Sequence, residues 1–138
     1  MTSRRGTLKL LLLSVLAACD SVIARLRGAR LVPIARVDQV PPGSAYRTTH
    51  GEDPLILVNV DGTITTFRAV CTHEGCPLGW NPNQHLIRCP CHGSAFDTAG
   101  RVVNGPARAP LTALPTITER GEVLLVEQRQ RQSLTDRQ

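Results

Sequence analysis

The chain has 138 residues, of which 41% are hydrophobic and 3% aromatic, and it carries a formal net charge of +5 at pH 7. This length suits one domain with a modest core, and the sequence shows no internal repeat, phosphate-binding glycine loop or nucleophile triad. Arg4, Arg5 and Lys9 supply three of the 16 basic side chains, so a chain cleaved after them keeps a net charge of only +2. Such a charge is too weak to argue for nucleic-acid binding.

The N-terminal segment has the features of an export signal. Residues 3–9, SRRGTLK, resemble a twin-arginine signal, although Thr7 stands where a phenylalanine is often found. The apolar run that follows, residues 10–18, is far shorter than the roughly 20 residues that span a bilayer, and it suits a signal-peptide core. Residues 16–19, LAAC, resemble a lipobox, which predicts that Cys19 becomes the lipidated first residue of the mature protein. An ordinary cleaved signal with an unpaired cysteine and an uncleaved signal anchor remain alternatives.

The chain divides into four predicted segments. Residues 1–18 are the export signal, 19–32 a tether, 33–128 the folded domain and 129–138 a polar, disordered tail. The signal predicts a location on the outer, periplasmic face of the inner membrane of a bacterium or archaeon, held there by a lipid anchor on Cys19. No transmembrane helix is expected.

Periodicity in the folded domain favours β-strands over helices. Residues 54–60 and 63–70 are rich in strand-forming side chains, and they flank Asp61-Gly62, which is a strong hairpin signal. Residues 71–94 show little regular periodicity. The other predicted strands are 34–37, 96–97 with 101–103, and 114–118 with 122–127.

Two short motifs, CTHEGC at residues 71–76 and CPCHGS at residues 89–94, carry potential metal ligands. They contain the matching clasps Cys71-x-His73 and Cys89-x-x-His92. Two thiolates and two imidazoles can hold a binuclear iron–sulfur cluster, with thiolates on one iron and imidazoles on the other. Zinc is an alternative, although zinc fingers more often use Cys-x2–4-Cys with His-x3–5-His. Two disulfides are a further alternative, but they leave both histidines without a role.

On these two motifs the chain resembles the Rieske iron–sulfur protein family over residues 33–128. It resembles more narrowly the branch found in cytochrome bc-type complexes and related respiratory proteins. The resemblance implies an all-β, antiparallel fold with a small cluster-binding subdomain built on two loops. It also implies a disulfide between Cys76 and Cys91, which Rieske ferredoxins and ring-hydroxylating oxygenases usually lack. The resemblance implies one [2Fe-2S] cluster with four ligands: Cys71 and Cys89 on one iron, His73 and His92 on the other.

The resemblance assigns further roles around the cluster. Ser94 is implied to donate a hydrogen bond to a bridging sulfide, Gly93 to let the backbone approach the sulfide, and Pro106 to stiffen a loop that covers the cluster. Phe96 stands where a tyrosine hydroxyl commonly donates to a cysteine sulfur, so we expect a potential below that of the highest-potential members. Glu74 stands where high-potential members often carry leucine, which weakens the case for a quinol partner unless the carboxylate simply points into water.

The function expected from these features is one-electron transfer in an exported, membrane-tethered protein of a respiratory or periplasmic oxidoreductase chain. The expected partner is a c-type cytochrome, a molybdenum oxidoreductase or a cytochrome b-type subunit, and oxidoreductase activity is expected only within a larger complex. One alternative is the Rieske subunit of a quinol-oxidising cytochrome bc-type complex. The alternative of another class is a zinc-stabilised lipoprotein that serves as an interaction module.

Overall fold

A computed structural model describes residues 29–128 of the chain. The predicted export signal, Cys19 and the predicted tail at 129–138 lie outside these residues. Leu31–Glu127 form one compact unit. Its strands are β1 Arg30–Arg36, β2 Ala45–His50, β3 Asp53–Val60, β4 Thr63–Arg68, β5 Gly79–Asn81, β6 Leu86–Arg88, β7 Ala95–Phe96, β8 Val102–Asn104, β9 Ala113–Leu114, β10 Thr116–Glu119 and β11 Glu122–Glu127.

The strands form three sheets, and this all-β architecture confirms the predicted fold class. The outer sheet has the strand order β1-β11-β10, the central sheet β2-β3-β4-β9, and the small sheet β5-β6-β7-β8. Pairing is antiparallel throughout the central and small sheets. Within residues 29–128, no helix has both the length and the apolar character that crossing a membrane requires.

Strand β3 is buried on both faces, and it therefore joins two hydrophobic cores. Successive side chains of a strand point to opposite faces. Leu55 and Leu57 accordingly pack in one core with Val123 of β11 and with Val40, which lies between β1 and β2. The alternate side chains of β3, Ile56 and Val58, pack in a second core. Its other members include Phe67, Leu78, Ile87, Phe96 and the two cysteines Cys71 and Cys89.

Two tight turns explain the hairpins that the sequence predicts. Asp61 and Gly62 have φ values of 50° and 91°, and Arg120 and Gly121 have φ values of 51° and 80°. Two successive residues of positive φ form the turn whose twist matches that of antiparallel strands, and glycine adopts this conformation without a steric cost. The Asn59 side chain also accepts a hydrogen bond from Gly62 N at 2.9 Å and donates one to Val40 O at 2.6 Å.

The structure differs from the predicted strands at several positions. Strand β1 begins at Arg30, so the last residues of the predicted tether belong to the domain. Leu114 pairs with Thr66 in β9 rather than with the last hairpin. Pro115, which follows it, separates β9 from β10 and cannot donate a backbone hydrogen bond. The sequence analysis also missed strands β2, β5 and β6.

Candidate metal centre

Two loops with similar backbone hydrogen bonds carry the predicted ligands. In the first loop, between β4 and β5, Cys71 N donates to Cys76 O at 2.8 Å and Gly75 N donates to Cys71 O at 2.9 Å. In the second loop, between β6 and β7, Cys89 N donates to Ser94 O at 2.8 Å. Each loop therefore closes on itself at the cysteine that begins its motif, and this fixes where the ligands emerge.

The two thiols lie inside the protein. Cys71 and Cys89 are each 3% exposed, neither is part of a disulfide, and both belong to the core that contains Phe96. Their strong burial keeps water away from the sulfur atoms. A cysteine in this setting is either a structural apolar side chain or a ligand whose negative charge is neutralised by a metal.

The two imidazoles lie at the surface and are far more exposed than the thiols. The side chains of His73 and His92 are 28% and 49% exposed. Their ring centroids are 5.0 Å apart and the rings are nearly perpendicular, at 88°. The four predicted ligands thus divide into two buried thiols and two solvent-accessible imidazoles, and each loop supplies one of each. This arrangement fits a binuclear centre with one thiolate-bound iron and one imidazole-bound iron.

A disulfide joins the two loops. The Sγ atoms of Cys76 and Cys91 are 2.08 Å apart and the Cα atoms 6.5 Å apart. The sulfur atoms of Cys76 and Cys91 also lie within 4.8 Å of that of Cys89. This trio is not a metal site, because two of its sulfurs are consumed by the disulfide and cannot act as thiolates. The disulfide instead holds the second loop against the first.

A third segment packs against the second loop. Gly105 has a φ of 95°, and a Cβ atom placed on it would lie 2.5 Å from Ser94 Cα and 2.8 Å from Ser94 N. Only glycine permits this close approach. Ala107 N donates to Ser94 Oγ at 3.1 Å, whereas Pro106, between Gly105 and Ala107, is exposed. On the other side, Thr72 Oγ1 donates to Ala109 O at 2.7 Å, so this segment contacts both loops.

Ser94 and Phe96 are both fully buried. Since the Ser94 hydroxyl already accepts from Ala107 N, its own hydrogen remains free to donate. That free donor fits the role implied for Ser94 toward a sulfide. Phe96 pairs with Ile87 and Val102 in the small sheet and offers no hydroxyl. Gly93 has a φ of 76°, and no described atom lies within 4 Å of the position of its missing Cβ.

Glu74 faces both imidazoles. One carboxylate oxygen lies 3.7 Å from His73 Nε2 and the other 3.5 Å from His92 Nδ1. The Glu74 side chain is 60% exposed, so it faces the solvent and the rings at once. It gives the exposed end of the centre a negative charge. Spacing within one motif could not reveal the contact with His92, because that residue comes from the other loop.

The remaining histidines have other partners. His50 Nε2 lies 2.5 Å from Glu127 Oε1, which ties the end of β2 to the end of β11. The His85 ring packs edge-on against Trp80, with centroids 6.0 Å apart. Trp80 packs against the core beneath the loops, and its Nε1 has no hydrogen-bond acceptor among residues 29–128. Neither histidine belongs to a group of three or more potential ligands in this part of the chain.

Known proteins share both the sequence and the fold of this domain. The model of the Rieske [2Fe-2S] domain family matches residues 30–117. The cytochrome b6-f complex iron-sulfur subunit of Chlorobaculum tepidum is 32% identical over 92 residues, which are 67% of this chain and 51% of that protein. The chloroplastic cytochrome b6-f complex iron-sulfur subunit of Arabidopsis thaliana is 44% identical over 79 residues, which are 55% of this chain and 34% of that protein.

A crystal structure of the plasma membrane Rieske protein of Synechocystis PCC 6803 superposes with a TM-score of 0.62 at 26% identity. The match covers 68% of this chain and 97% of that one. The chain spans about half the length, or less, of the curated relatives it matches. Two loops with buried thiols and exposed imidazoles, a disulfide between them and a family match over most of the chain lead to one conclusion: this chain belongs to the Rieske [2Fe-2S] family and carries one [2Fe-2S] cluster.

Proposed function

We propose that this protein transfers single electrons in an exported, membrane-tethered position, where it serves a respiratory or periplasmic oxidoreductase chain. The observation that carries the proposal is the division of the site into buried thiols, Cys71 and Cys89, and exposed imidazoles, His73 and His92. Two ligands at the surface give an electron a short path between the cluster and a partner protein, a use that a purely structural metal does not have.

Each pair of ligands has its own task in this proposal. Cys71 and Cys89 hold one iron in a water-poor environment, and His73 and His92 hold the other at the surface where a partner can approach. When bound, the cluster supplies reversible one-electron chemistry at potentials of about −150 to +300 mV, above the roughly −400 mV of all-cysteine plant-type ferredoxins. The rigid loops, fixed by the disulfide and by the Gly105 contact, keep the ligands in place in both redox states.

Ser94 and Phe96 set the potential within that range. The free hydroxyl hydrogen of Ser94 stabilises added negative charge and raises the potential, whereas Phe96 donates nothing. We expect Phe96→Tyr to raise the midpoint potential and Ser94→Ala to lower it. Potentiometric titration of the two variants checks both directions. An unchanged potential in Phe96→Tyr, with an intact cluster spectrum, would contradict the proposed tuning.

The second candidate is a subunit of a quinol-oxidising cytochrome bc-type complex. The observation that favours it is the set of curated relatives, which are cytochrome b6-f complex iron-sulfur subunits. The observation against it is Glu74, which places a carboxylate between the two exposed imidazoles where an apolar contact is expected for quinol docking.

Anaerobic redox titration of the purified protein, followed by electron paramagnetic resonance and iron analysis, tests for the cluster and narrows the class of partner. A mixed histidine–cysteine cluster signal with a potential above about +100 mV supports a quinol or cytochrome chain. The same signal with a potential near or below zero points to another oxidoreductase partner. A colourless, zinc-containing protein that iron and sulfide cannot reconstitute overturns electron transfer and supports the zinc-stabilised interaction module.

The proposed location rests on the N-terminal sequence. The pair Arg4-Arg5 and the LAAC sequence ending at Cys19 favour export of a folded protein followed by lipidation. We expect Cys19→Ser to release the protein from the membrane fraction into the periplasm, and Arg4→Lys with Arg5→Lys to retain it in the cytoplasm. Fractionation of cells that produce each variant checks both expectations. Membrane retention of Cys19→Ser would contradict the lipid anchor.

A further inference from the structure

A groove lies beside the second metal loop, and Cys89, one of the predicted cluster ligands, is among its lining residues. It has a volume of about 820 Å³ and is open to solvent. Its walls include Arg47 from β2, Trp80 from β5 and Arg88 from β6, together with Gln84, Pro90 and Gly93. The groove thus runs from the central sheet to the loop that carries Cys89 and His92.

The charge of this groove is positive and is not neutralised by the domain. Arg47 and Arg88 both line it, and none of its lining residues is acidic. Among residues 29–128, neither arginine forms an ion pair. Arg88 Nη1 donates only to the neutral Gln84 side chain, at 3.1 Å, which leaves other guanidinium hydrogens unused.

Three other arginines of the domain have a carboxylate partner: Arg36, Arg68 and Arg101 each have a carboxylate oxygen within 3.2 Å. In the described part of the chain, Arg30 and Arg108 have no such ion pair but do not line the groove. The two arginines of the groove therefore present donors that a carboxylate from outside the chain can accept, in the two-pronged manner that guanidinium groups favour. Trp80 adds an aromatic surface between polar groups, and arginine with tryptophan is a combination enriched where binding energy concentrates in interfaces.

The other side of the second loop carries the opposite charge. His92 of this loop faces the carboxylate of Glu74, whereas Pro90 and Gly93 of the same loop line the positive groove. Acidic groups of a partner that docks in the groove are repelled by Glu74 at the exposed end of the centre, which disfavours orientations that bring those groups close to it.

We propose that the groove binds an acidic, extended segment of the redox partner and thereby orients that partner beside the cluster loops. Carboxylates of the segment pair with Arg47 and Arg88, and its backbone or apolar side chains lie against Trp80. That the bound protein is a redox partner rests on the proposed electron-transfer function. The binding is measured on the oxidised, cluster-loaded protein and requires no electron transfer.

Trp80 is the only tryptophan of the chain, so all tryptophan emission comes from a residue that lines the groove. The test is a titration of the full-length, cluster-loaded protein with hexaglutamate, followed by Trp80 emission. Hexaglutamine serves as the uncharged probe and inorganic phosphate as the small-anion probe. We expect a saturable change with hexaglutamate that is lost near 1 M salt, where the screening length falls to about 3 Å.

Variants assign the binding to the two arginines. We expect Arg47→Gln with Arg88→Gln to weaken the apparent affinity for hexaglutamate about tenfold, since two solvent-accessible ion pairs are lost. Arg120→Gln, in the β10–β11 turn, is the matched control and should leave the affinity unchanged. If the double variant fails to fold, the single variant Arg47→Gln replaces it, because Arg47 is at an exposed position of β2. We expect its affinity to be intermediate.

Four results would overturn the proposal. The first is no response of the wild-type protein to hexaglutamate, and the second is an unchanged affinity in the Arg47 and Arg88 variants. The third is an equal response to hexaglutamine, and the fourth an equal response to phosphate at the same concentration of negative charge. The last result assigns the groove to small anions. Failure of the proposed electron transfer appears separately, as the absence of a cluster signal or of reversible reduction in the redox titration.

Discussion

The central and small sheets of this domain are stabilised in different ways. In the central sheet, β2, β3 and β4 are six to eight residues long, and β3 contributes a run of five buried side chains from Leu55 to Asn59. The strands of the small sheet are only two or three residues long. Ladders this short supply few hydrogen bonds and little apolar burial, so the small sheet depends on cross-links and on close backbone contacts.

Three features serve this purpose. The Cys76–Cys91 disulfide joins the two metal loops, Gly105 packs closely against Ser94, and the Asp97 carboxylate organises the turn between β7 and β8. The chain therefore separates the region that supplies most of the folding stability from the region that holds the cofactor. The central and small sheets meet in the core that contains Ile56 of β3 with Cys71 and Cys89, whereas Leu57 of the same strand faces the other core.

The largest expected effect tests this meeting point. Leu57 and Ile56 are adjacent and both 0% exposed, but they lie in different cores. We expect Leu57→Ala and Ile56→Ala each to lower the free energy of unfolding by about 3 kcal/mol, through lost burial and a residual cavity. Only Ile56→Ala should alter the visible spectrum of the cluster in native buffer, because its core contains Cys71 and Cys89. Urea unfolding and absorbance spectra check both, and identical spectral effects would remove the separation.

The disulfide should matter mainly to the small sheet. The two cysteines are 15 residues apart, and a cross-link of that span stabilises a protein by about 3 kcal/mol in the chain-entropy description. We expect Cys76→Ser with Cys91→Ser to lose cluster absorbance at a lower urea concentration than the far-ultraviolet signal of the sheets. The wild-type protein, in which both signals should change together, is the reference. Coincident loss in the variant would argue that the regions unfold as one.

Gly105 gives a sharper test, because the chain provides a matched control. Gly105 and Gly121 have φ values of 95° and 80°, but only Gly105 would bring a Cβ into contact with other atoms. Both alanine variants incur the strain of positive φ, and only Gly105→Ala also forces the Ser94 backbone to move. We expect Gly105→Ala to be the more destabilising by about 2 kcal/mol and to shift the electron paramagnetic resonance signal. Equal unfolding energies would mean that the third segment yields without cost.

The smallest expected effect concerns pH and Asp97. Burial raises the pKa of the Asp97 carboxyl, but hydrogen bonds from the backbone and side chain of Arg101 and from Ala99 N outweigh it, and the net shift is downward. A lowered folded-state pKa stabilises the protein above the unfolded value of about 3.9, and this stabilisation disappears as the pH falls through the folded value.

We therefore expect Asp97→Asn to cost about 1 kcal/mol at pH 7 and progressively less below about pH 4. Urea unfolding of the wild-type protein and the variant at several pH values measures this difference. Arg101→Gln is the control, since it keeps the Asp97 carboxylate and its bonds from backbone N–H groups while removing the guanidinium. A difference that stays constant down to pH 3 would contradict the charged contribution of Asp97.

Much of the central sheet was predictable from the sequence, and much of the small sheet was not. The β3–β4 hairpin follows from an apolar run and the Asp61-Gly62 turn, both of which are local signals. Strands of three residues such as β5 and β6 are too short to show a period of two, and they form because neighbouring loops position them. Strand β2 follows a proline- and glycine-containing turn, and its alternation of half-buried and exposed residues is weak.

The candidate site shows the same contrast. The motif spacing correctly indicated an iron–sulfur family, and the resemblance implied the disulfide that the structure contains. The Ser94 bond to Ala107, the Gly105 contact and the position of Glu74 between two imidazoles join distant parts of the chain. Such contacts depend on how the loops pack, and no local pattern of residues specifies them.

The pairing of the four cysteines near the cluster has a consequence for maturation. Four cysteines can form two disulfides in three ways, and each of the three consumes both Cys71 and Cys89. Among chains in which any of these four cysteines is oxidised to a disulfide with another, only the one with the single Cys76–Cys91 bond retains the two thiols that the cluster needs. We expect iron and sulfide loaded before oxidation to protect these thiols, and oxidation of the empty chain to lower the yield of cluster-loaded protein. The order of cofactor insertion and disulfide formation should therefore decide how much active protein is made.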